Sequence, residues 1–301
     1  MTTLLHTADW HIGKSFHRFA GHPDVQHRLA SARLDAVDRV GHWARESGAA
    51  AVLVAGDLFH TSEVSDSVVV QLLDRIGRMG VPVIAIPGNH DHAGEGTVWR
   101  RESFQRYREQ RAPNLELVLD EPTCVELDGV DVLAMPVRQR MHRPVVAELG
   151  QLGQRSGVAR VGLVHGATDD FKEDEGESRA IEWHGETNAR LDYLALGDYH
   201  RQQEVSGRHC QTWYAGTIEP DGFASHRQDG ERVGAAIRVD VHGPGRVVVT
   251  PIALDGGMRW VRLVRSVQDD AALAQLEQEI LALSSGAAQS TLCQLDLRDS
   301  R

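Results

Sequence analysis

The sequence predicts an α/β fold: two stacked mixed sheets flanked by helices, with a small α+β unit at the C-terminal end. Three observations predict it. Short, nearly continuous apolar runs of strand length recur over the first two thirds of the chain, as strands buried on both faces require. Segments with apolar residues at helical spacing lie between some of them, and polar loops, most of them bearing glycine, follow most of the runs.

Taken in order, strands are expected over residues 3–6, 50–55, 81–86, 130–135, 160–164 and 193–196. A helix over 28–47 rests on Leu29, Ala32, Ala36, Val37, Val40 and Ala44. A second, over 65–79, has Ser65 placed to cap its start and Gly80 to stop it, and its Val68, Val69, Leu72, Leu73 and Ile76 read as core. From 211 to 252 the pattern is strand-rich (212–215, 235–241, 246–252), which predicts a second sheet stacked on the first. After the turn-forming Asp255-Gly256-Gly257, segments 259–267, 269–283 and 291–297 read strand, helix, strand. The expected division is a main domain over 1–255 and a small or incomplete C-terminal capping unit over 256–301, the start of something larger.

Composition narrows the function. With 41% hydrophobic and 25% charged residues the chain can bury a globular core, which excludes disordered and fibrous classes. No run approaches the roughly 18 apolar residues of a membrane span, and no signal segment opens the chain, so a cytoplasmic protein without a membrane partner is expected. Cys124, Cys210 and Cys293 are far apart and form no C-x-x-C pair, so neither a disulfide framework nor a thiolate zinc site is indicated. The net charge of −11 lacks the positive field that would hold nucleic acid by phosphate neutralisation alone. Bound divalent metal would supply it, and many of the 16 histidines stand within a residue or two of Asp or Asn.

Five short motifs carry the chemistry: Asp9-Trp10-His11, Gly56-Asp57-Leu58-Phe59-His60, Gly88-Asn89-His90-Asp91, His165, and Gly197-Asp198-Tyr199-His200. Each follows an expected strand, and in open α/β sheets ligand sites gather at the carboxyl ends of strands, so the loops can meet in space. Oxygen and imidazole donors without thiolates suit manganese, magnesium, iron or zinc. Singly, each motif has a bland reading, an Asp capping a turn and a His satisfied by a backbone carbonyl. Together, in this order and at strand ends, they predict a metal centre in which one Asp between two ions can bridge both.

The order D-x-H, G-D-x-x-H, G-N-H-D, H, G-x-x-H resembles the binuclear metallophosphoesterase superfamily, whose fold is an α-β-β-α sandwich. Within it, His6-Thr7-Ala8-Asp9-Trp10-His11-Ile12-Gly13 and Gly56 to His60 are similar to the SbcD-type DNA repair nucleases, bacterial relatives of the nuclease in the eukaryotic MRN complex. The resemblance covers about residues 3–225 and includes Trp213-Tyr214-Ala215-Gly216-Thr217 followed by Glu219-Pro220-Asp221. It implies that Asp9, His11 and His200 hold a first metal, that Asp57 bridges, and that Asn89, His165 and residue 198 hold a second. It further implies that His90 faces the substrate free of metal, as the donor of a proton to the departing oxygen, and that His60 positions the phosphate. For His60 a turn histidine bonded to backbone is the other reading. Two metals about 3.5–4 Å apart suit this assignment, since such a pair clamps the attacking and leaving oxygens of an in-line phosphoryl displacement. The resemblance also implies manganese as the metal, with magnesium, iron or zinc as alternatives, a homodimer, and an SbcC-like coiled-coil ATPase as partner. The region that binds that ATPase would follow the C-terminal unit and be missing here. No G-x-x-x-x-G-K-[ST] motif occurs in the chain, so any ATP dependence must come from a partner.

One position departs from the family: Asp198 stands where a His is usual. It can be an oxygen ligand to the second metal, lie behind a water ligand, or mark a lost site. As a ligand it would leave the first shell neutral once two divalent ions and a hydroxide are counted, against a net positive shell with His. That predicts tighter metal retention and an activity optimum at higher pH than for Asp198→His.

Two weaker features leave alternatives open. The acidic run Asp169, Asp170, Glu173, Asp174, Glu175 and Glu177 is either a solvated loop or a gate to DNA. Arg100, Arg101, Arg106, Arg108 and Arg111, with Trp99, Phe104 and Tyr107, form either a basic DNA surface or an ordinary helix face or dimer contact. The function read from all of this is metal-dependent hydrolysis of DNA phosphodiesters, as exonuclease or endonuclease, in double-strand-break or end processing. The rivals are a phosphodiesterase of small molecules or nucleotides and a non-catalytic subunit that binds DNA ends.

Overall fold

The computed structural model of the chain describes residues 1–139, 146–153, 155–168, 181, 189–205, 209–223, 230–284 and 290–298. In chain order the described strands are β1 (Thr2–Thr7), β2 (Ala51–Ala55), β3 (Val83–Ile86), β4 (Leu115–Leu117), β5 (Thr123–Leu127), β6 (Val130–Ala134), β7 (Ala159–His165), β8 (Tyr193–Gly197), β9 (Gln203–Glu204), β10 (Gln211–Tyr214), β11 (Gly230–Arg232), β12 (Gly234–Val241), β13 (Val247–Leu254), β14 (Arg259–Ser266) and β15 (Thr291–Arg298). The helices are α1 (Pro23–Glu46), α2 (Asp66–Arg78), α3 (Glu102–Arg111), the single turn α4 (Val146–Leu149) and α5 (Asp270–Ser284).

Two six-stranded mixed sheets face each other. The first has the order β13-β12-β1-β2-β3-β4, the second β5-β6-β7-β8-β10-β9. In the first sheet β1, β2, β3 and β4 pair in parallel and the antiparallel pairs, β13–β12 and β12–β1, lie on one side; in the second β6, β7, β8 and β10 pair in parallel and the two outer pairs, β5–β6 and β10–β9, are antiparallel. Alternation along the strands builds three layers of core. Leu4, Leu53, Ile84 and Ile86 meet Val132, Val161, Leu163 and Ala195 between the sheets. The intervening Leu5, Val52, Val54 and Val83 face α1, α2 and α3, while Leu133, Val164, Leu194 and Leu196 face away from the first sheet, over Val146 and Leu149. Both faces of β1, β2, β3, β7 and β8 are thus covered, which is why these strands read as unbroken apolar runs.

The strand-rich segment 211–252 does not build the second sheet on its own, contrary to expectation. Only β10 joins that sheet, beside β8, whereas β12 and β13 extend the first sheet by pairing with β1 and with each other. Period-2 alternation reports that a strand exists and not which edge it joins. The deciding feature is that β12 has apolar residues on both faces, Ala236 on one and Ile237 and Val239 on the other, and only a place inside the sheet sandwich covers both.

Helix α1 begins at Pro23, five residues before the periodic stretch, because proline at the first helical position has a preset φ and needs no N–H partner. Ser65 precedes α2 in an extended conformation, but its hydroxyl meets the Ser67 hydroxyl at 2.9 Å and caps no helix N–H. At the C-terminal end β14 and β15 pair in parallel, and β11 adds a third strand antiparallel to β14. Trp260 of β14 is fully buried with Phe16, Leu29 and Met258, which fastens this sheet to the N-terminal part of α1. No described helix is long and apolar enough to cross a membrane. The acidic run at 169–177 lies outside the described residues.

Candidate metal centre

The five motifs converge. The loops after β1 and β2 lie side by side, with the N–H groups of Asp9, His11 and Ile12 donating to the carbonyls of Gly56, Asp57 and Leu58 at 3.1, 2.9 and 2.9 Å. These bonds hold Asp9, His11 and Asp57 in the left-handed region, at φ 53°, 45° and 56°. Asp198 after β8 is at φ 100°. Such backbone costs on the order of 1–3 kcal/mol per residue and persists only where its surroundings fix it. Two glycines let the loops close. A Cβ on Gly56 would strike the His165 ring, and one on Gly88 would strike the Asp57 carboxylate.

At the centre lies the Asp57 carboxylate, 1% exposed, whose Oδ2 is 3.7 Å from His11 Nε2 and 3.7 Å from His165 Nε2. Its Oδ1 accepts the N–H of His90 at 3.0 Å. One oxygen thus faces an imidazole on each side, the arrangement a shared carboxylate between two cations needs. On one side His11 Nε2 and His200 Nε2 face each other at 3.0 Å, with Asp9 within reach of both. On the other, His165 Nε2 is 3.6 Å from Asp198 Oδ1, which accepts the Asn89 amide at 2.6 Å and leaves the Asn89 carbonyl oxygen for other use. The Asp198 N–H donates to the Asp9 carboxylate at 3.2 Å and 3.3 Å.

The chemistry of this donor set fits divalent metal. His165 Nδ1 lies 2.8 Å from the Ala55 carbonyl, a contact that needs an N–H there and fixes the tautomer with the lone pair on Nε2. That Nε2 is buried and has no hydrogen-bond partner. Buried polar atoms are rarely left unsatisfied. Asp9, His11 and His200 form one group of convergent donor atoms, and Asp9, Asp57 and His165 another, so Asp9 belongs to both.

Electrostatics agree. Burial pushes Asp57 well above the usual carboxylate range, with Asp91 and Asp9 adding to the rise and His165 opposing it. Burial likewise raises Asp9 and drives His11 far down. Burial opposes the His165 imidazolium, but Asp57, Asp198 and Asp9 outweigh it and raise the group to about 9. Without a cation, protons must compensate buried carboxylates; a cation would replace them.

His60 and His90 stack with ring centroids 5.1 Å apart at the exposed rim. The His60 ring meets His11 Nδ1 at 3.4 Å, not a backbone carbonyl, so the turn-histidine arrangement is not the one present. His90 Nδ1 bonds the His60 carbonyl at 3.1 Å, a contact that does not engage its Nε2. A cavity of about 460 Å³ opens here, lined by His60, Thr61, Ser62, Asn89, His90 and His92.

The structure brings in residues to which sequence reasoning gave no role. Asp91 is fully buried and accepts the N–H groups of Phe59 at 2.9 Å and Gly88 at 2.7 Å, which ties the loop after β2 to that after β3. Its place at the end of G-N-H-D was the available signal. Arg33 in α1, also buried, donates to the carbonyls of Trp10 at 2.8 Å and Glu219 at 3.1 Å and so supports the loop after β1 from below. Nothing in the periodicity of α1 marked it. In the aromatic and arginine cluster near α3, Trp99 and Phe104 are core, Arg100 pairs with Asp120, Arg111 with Asp74, Arg101 donates to the Val64 carbonyl, Arg108 donates to the Leu115 carbonyl, and Arg106 lies over the Tyr107 ring.

A family model described as calcineurin-like phosphoesterase matches residues 2–213. The chain belongs to the calcineurin-like phosphoesterase family. Among relatives of this phosphoesterase is the DNA double-strand break repair protein Mre11 of Haloferax volcanii, 28% identical over 264 residues that cover 85% of this chain and 51% of the relative. Another is a component of the nuclease SbcCD of Staphylococcus epidermidis, 29% identical over 140 residues, 44% of this chain and 33% of the relative. The phosphoesterase chain therefore spans about half the length of the first and a third of the second. Among solved structures, GAP50, the anchor in the inner membrane complex of Plasmodium, superposes with a TM-score of 0.50 at 8% identity, covering 85% of each chain, a likeness of fold alone.

Proposed function

We propose that this calcineurin-like phosphoesterase is a divalent-metal-dependent DNA nuclease that hydrolyses phosphodiester bonds during double-strand-break or end processing. The observation that carries the reading is the Asp57 oxygen equidistant, at 3.7 Å, from His11 and His165, with the exposed His90 beside it. The likeness to Mre11 and to a component of the nuclease SbcCD supports DNA as the substrate. Asp9, His11 and His200 would hold one cation, Asn89, His165 and Asp198 the other, and Asp57 would touch both. Manganese is the proposed metal. We also infer a homodimer in the cytoplasm, with an SbcC-like coiled-coil ATPase as partner and with residues 1–255 as the nuclease domain.

When bound, two such cations polarise the scissile phosphate and lower the pKa of an attacking water. The chain's own residues do the rest. Asp57 and Asp9 offset the positive charge. His60 presents a ring edge to a phosphate oxygen, and its stacking on His90 fixes the spacing between the two. His90, anchored through Nδ1 to the His60 carbonyl, carries a proton at Nε2 to the departing sugar oxygen. Burial lowers the proton affinity of His90, so it gives the proton up readily once charged.

The test is incubation with labelled hairpin, single-stranded and duplex DNA in manganese, beside a generic bis-phosphodiester. Cleavage of DNA at least tenfold above the small ester supports the reading. The reverse preference makes the chain a small-molecule phosphodiesterase, and no hydrolysis of either, with DNA ends bound, makes it a non-catalytic binding protein.

A further inference from the structure

We propose that Asp221 is a positioning residue of the metal centre, its carboxylate holding His200 with the proton on Nδ1 so that the Nε2 lone pair is aimed at the first cation position. The inference rests on the metal-centre reading above and deepens it; it does not depend on DNA being the substrate. Asp221 lies on the segment after β10, outside all five motifs. Its Oδ2 is 3.1 Å from His200 Nδ1 and 2.9 Å from Lys14 Nζ, and its Oδ1 is 3.8 Å from the Arg232 guanidinium.

The two metal-facing imidazoles at opposite ends of the centre are held in different ways. His165 is 1% exposed and takes its orientation from the Ala55 carbonyl, within the sheet sandwich. His200 is 32% exposed, on a loop, and its ring is held by a side chain that is itself only 9% exposed. An ionised carboxylate accepts hydrogen bonds and donates none, so His200 must present N–H to it and keep its lone pair on the opposite nitrogen. That nitrogen is the one facing His11 Nε2 at 3.0 Å.

Asp221 is in turn held. Lys14 arrives from the loop that carries Asp9 and His11, and Arg232 also donates to the His200 carbonyl at 2.8 Å. The segment after β10 is thereby joined to the loops after β1 and β8, which supply the first cation's three donors. The negative charge on Asp221 further strengthens the imidazole as a donor, as carboxylates behind metal-bound histidines do.

The test is manganese titration calorimetry on the full chain for the wild type, Asp221→Ala, Asp221→Asn, His200→Gln and the double variant Asp221→Ala/His200→Gln, with thermal melting as the folding control. Asp221→Ala is expected to weaken one of two manganese steps by about 10–100-fold and leave the other within about twofold. Asp221→Asn, whose carbonyl oxygen still accepts from Nδ1, should fall between, and Asp221→Ala should add nothing in the His200→Gln background. Unchanged steps in Asp221→Ala, equal weakening of both steps, or full additivity with His200→Gln would overturn the proposal. Should Asp221→Ala not fold, the Asn variant decides, since an unweakened step there also overturns it. A wild type with no manganese step overturns the metal-centre reading and this proposal together, whereas two wild-type steps unaffected at Asp221 overturn this proposal alone.

Discussion

His90 and Asp198 carry the sharpest consequences for single side chains. His90 meets the candidate centre through its backbone N–H, which donates to Asp57 at 3.0 Å, and through its ring, which lies edge-on to His11 with centroids 5.0 Å apart; the ring belongs to neither proposed ligand set, so it can be changed without removing one of their donors. His90→Asn should lower manganese-dependent cleavage by about 10²–10⁴-fold, the usual share of a proton-transferring group, with metal content unchanged by elemental analysis. Lost metal would instead make it a ligand. Asp198 replaces the imidazole of the SbcD-type pattern with a carboxylate that Asn89 already engages at 2.6 Å. Asp198→His makes the first shell more positive, so metal should leave faster on dialysis and the activity optimum should move to lower pH. An unchanged pH profile would show that residue 198 does not set the charge of the shell.

Elements place these groups through close approach, and there small changes have large effects. The turn after β3 passes so near Asp57 that only glycine fits at position 88. Gly88→Ala is expected to abolish manganese binding at the shared carboxylate while moving the thermal midpoint far less than a core truncation such as Trp260→Ala, which should cost about 3–5 kcal/mol. His6 of β1 spans the two sheets, with Nδ1 2.9 Å from the Tyr193 hydroxyl and Nε2 3.2 Å from the Leu196 carbonyl. Burial lowers its proton affinity from 6.5 to about 3, so the native state keeps it neutral while the unfolded chain takes up a proton. Its contribution is therefore complete above pH 6.5 and is lost as pH falls from there towards 3, by up to ~1.4 kcal/mol per pH unit. Denaturant midpoints at pH 7, 5 and 4 should show the stability gap between wild type and His6→Gln closing as the solution is acidified; a constant gap would mean that His6 titrates alike in both states.

At the scale of the molecule, the convergence of the five motifs was legible because each sits directly after an apolar run, and a strand's end fixes where the next residue points. That Asp9, Asp57, Asn89, His165 and Asp198 come together was readable for that reason. Asp221 stood in the segment that carries the resemblance, but its contact with His200 was not readable, and Arg33 was not marked at all, since each meets a partner about 20 or more residues away that no local pattern encodes. The sheet partner of β12 was misread for the same reason, its choice lying in two-sided burial and not in alternation. Asp9 and Asp57 are buried carboxylates with raised proton affinity, and a bound cation would take the place of those protons in the folded state, so manganese should raise the thermal midpoint and chelation lower it. The most direct test of the whole account counts metal. Saturated with manganese and dialysed, the wild-type chain should retain two ions by elemental analysis, and Asp57→Asn should retain fewer than one, because both proposed positions would share that carboxylate. A single ion in the wild type, or two retained in Asp57→Asn, would contradict it.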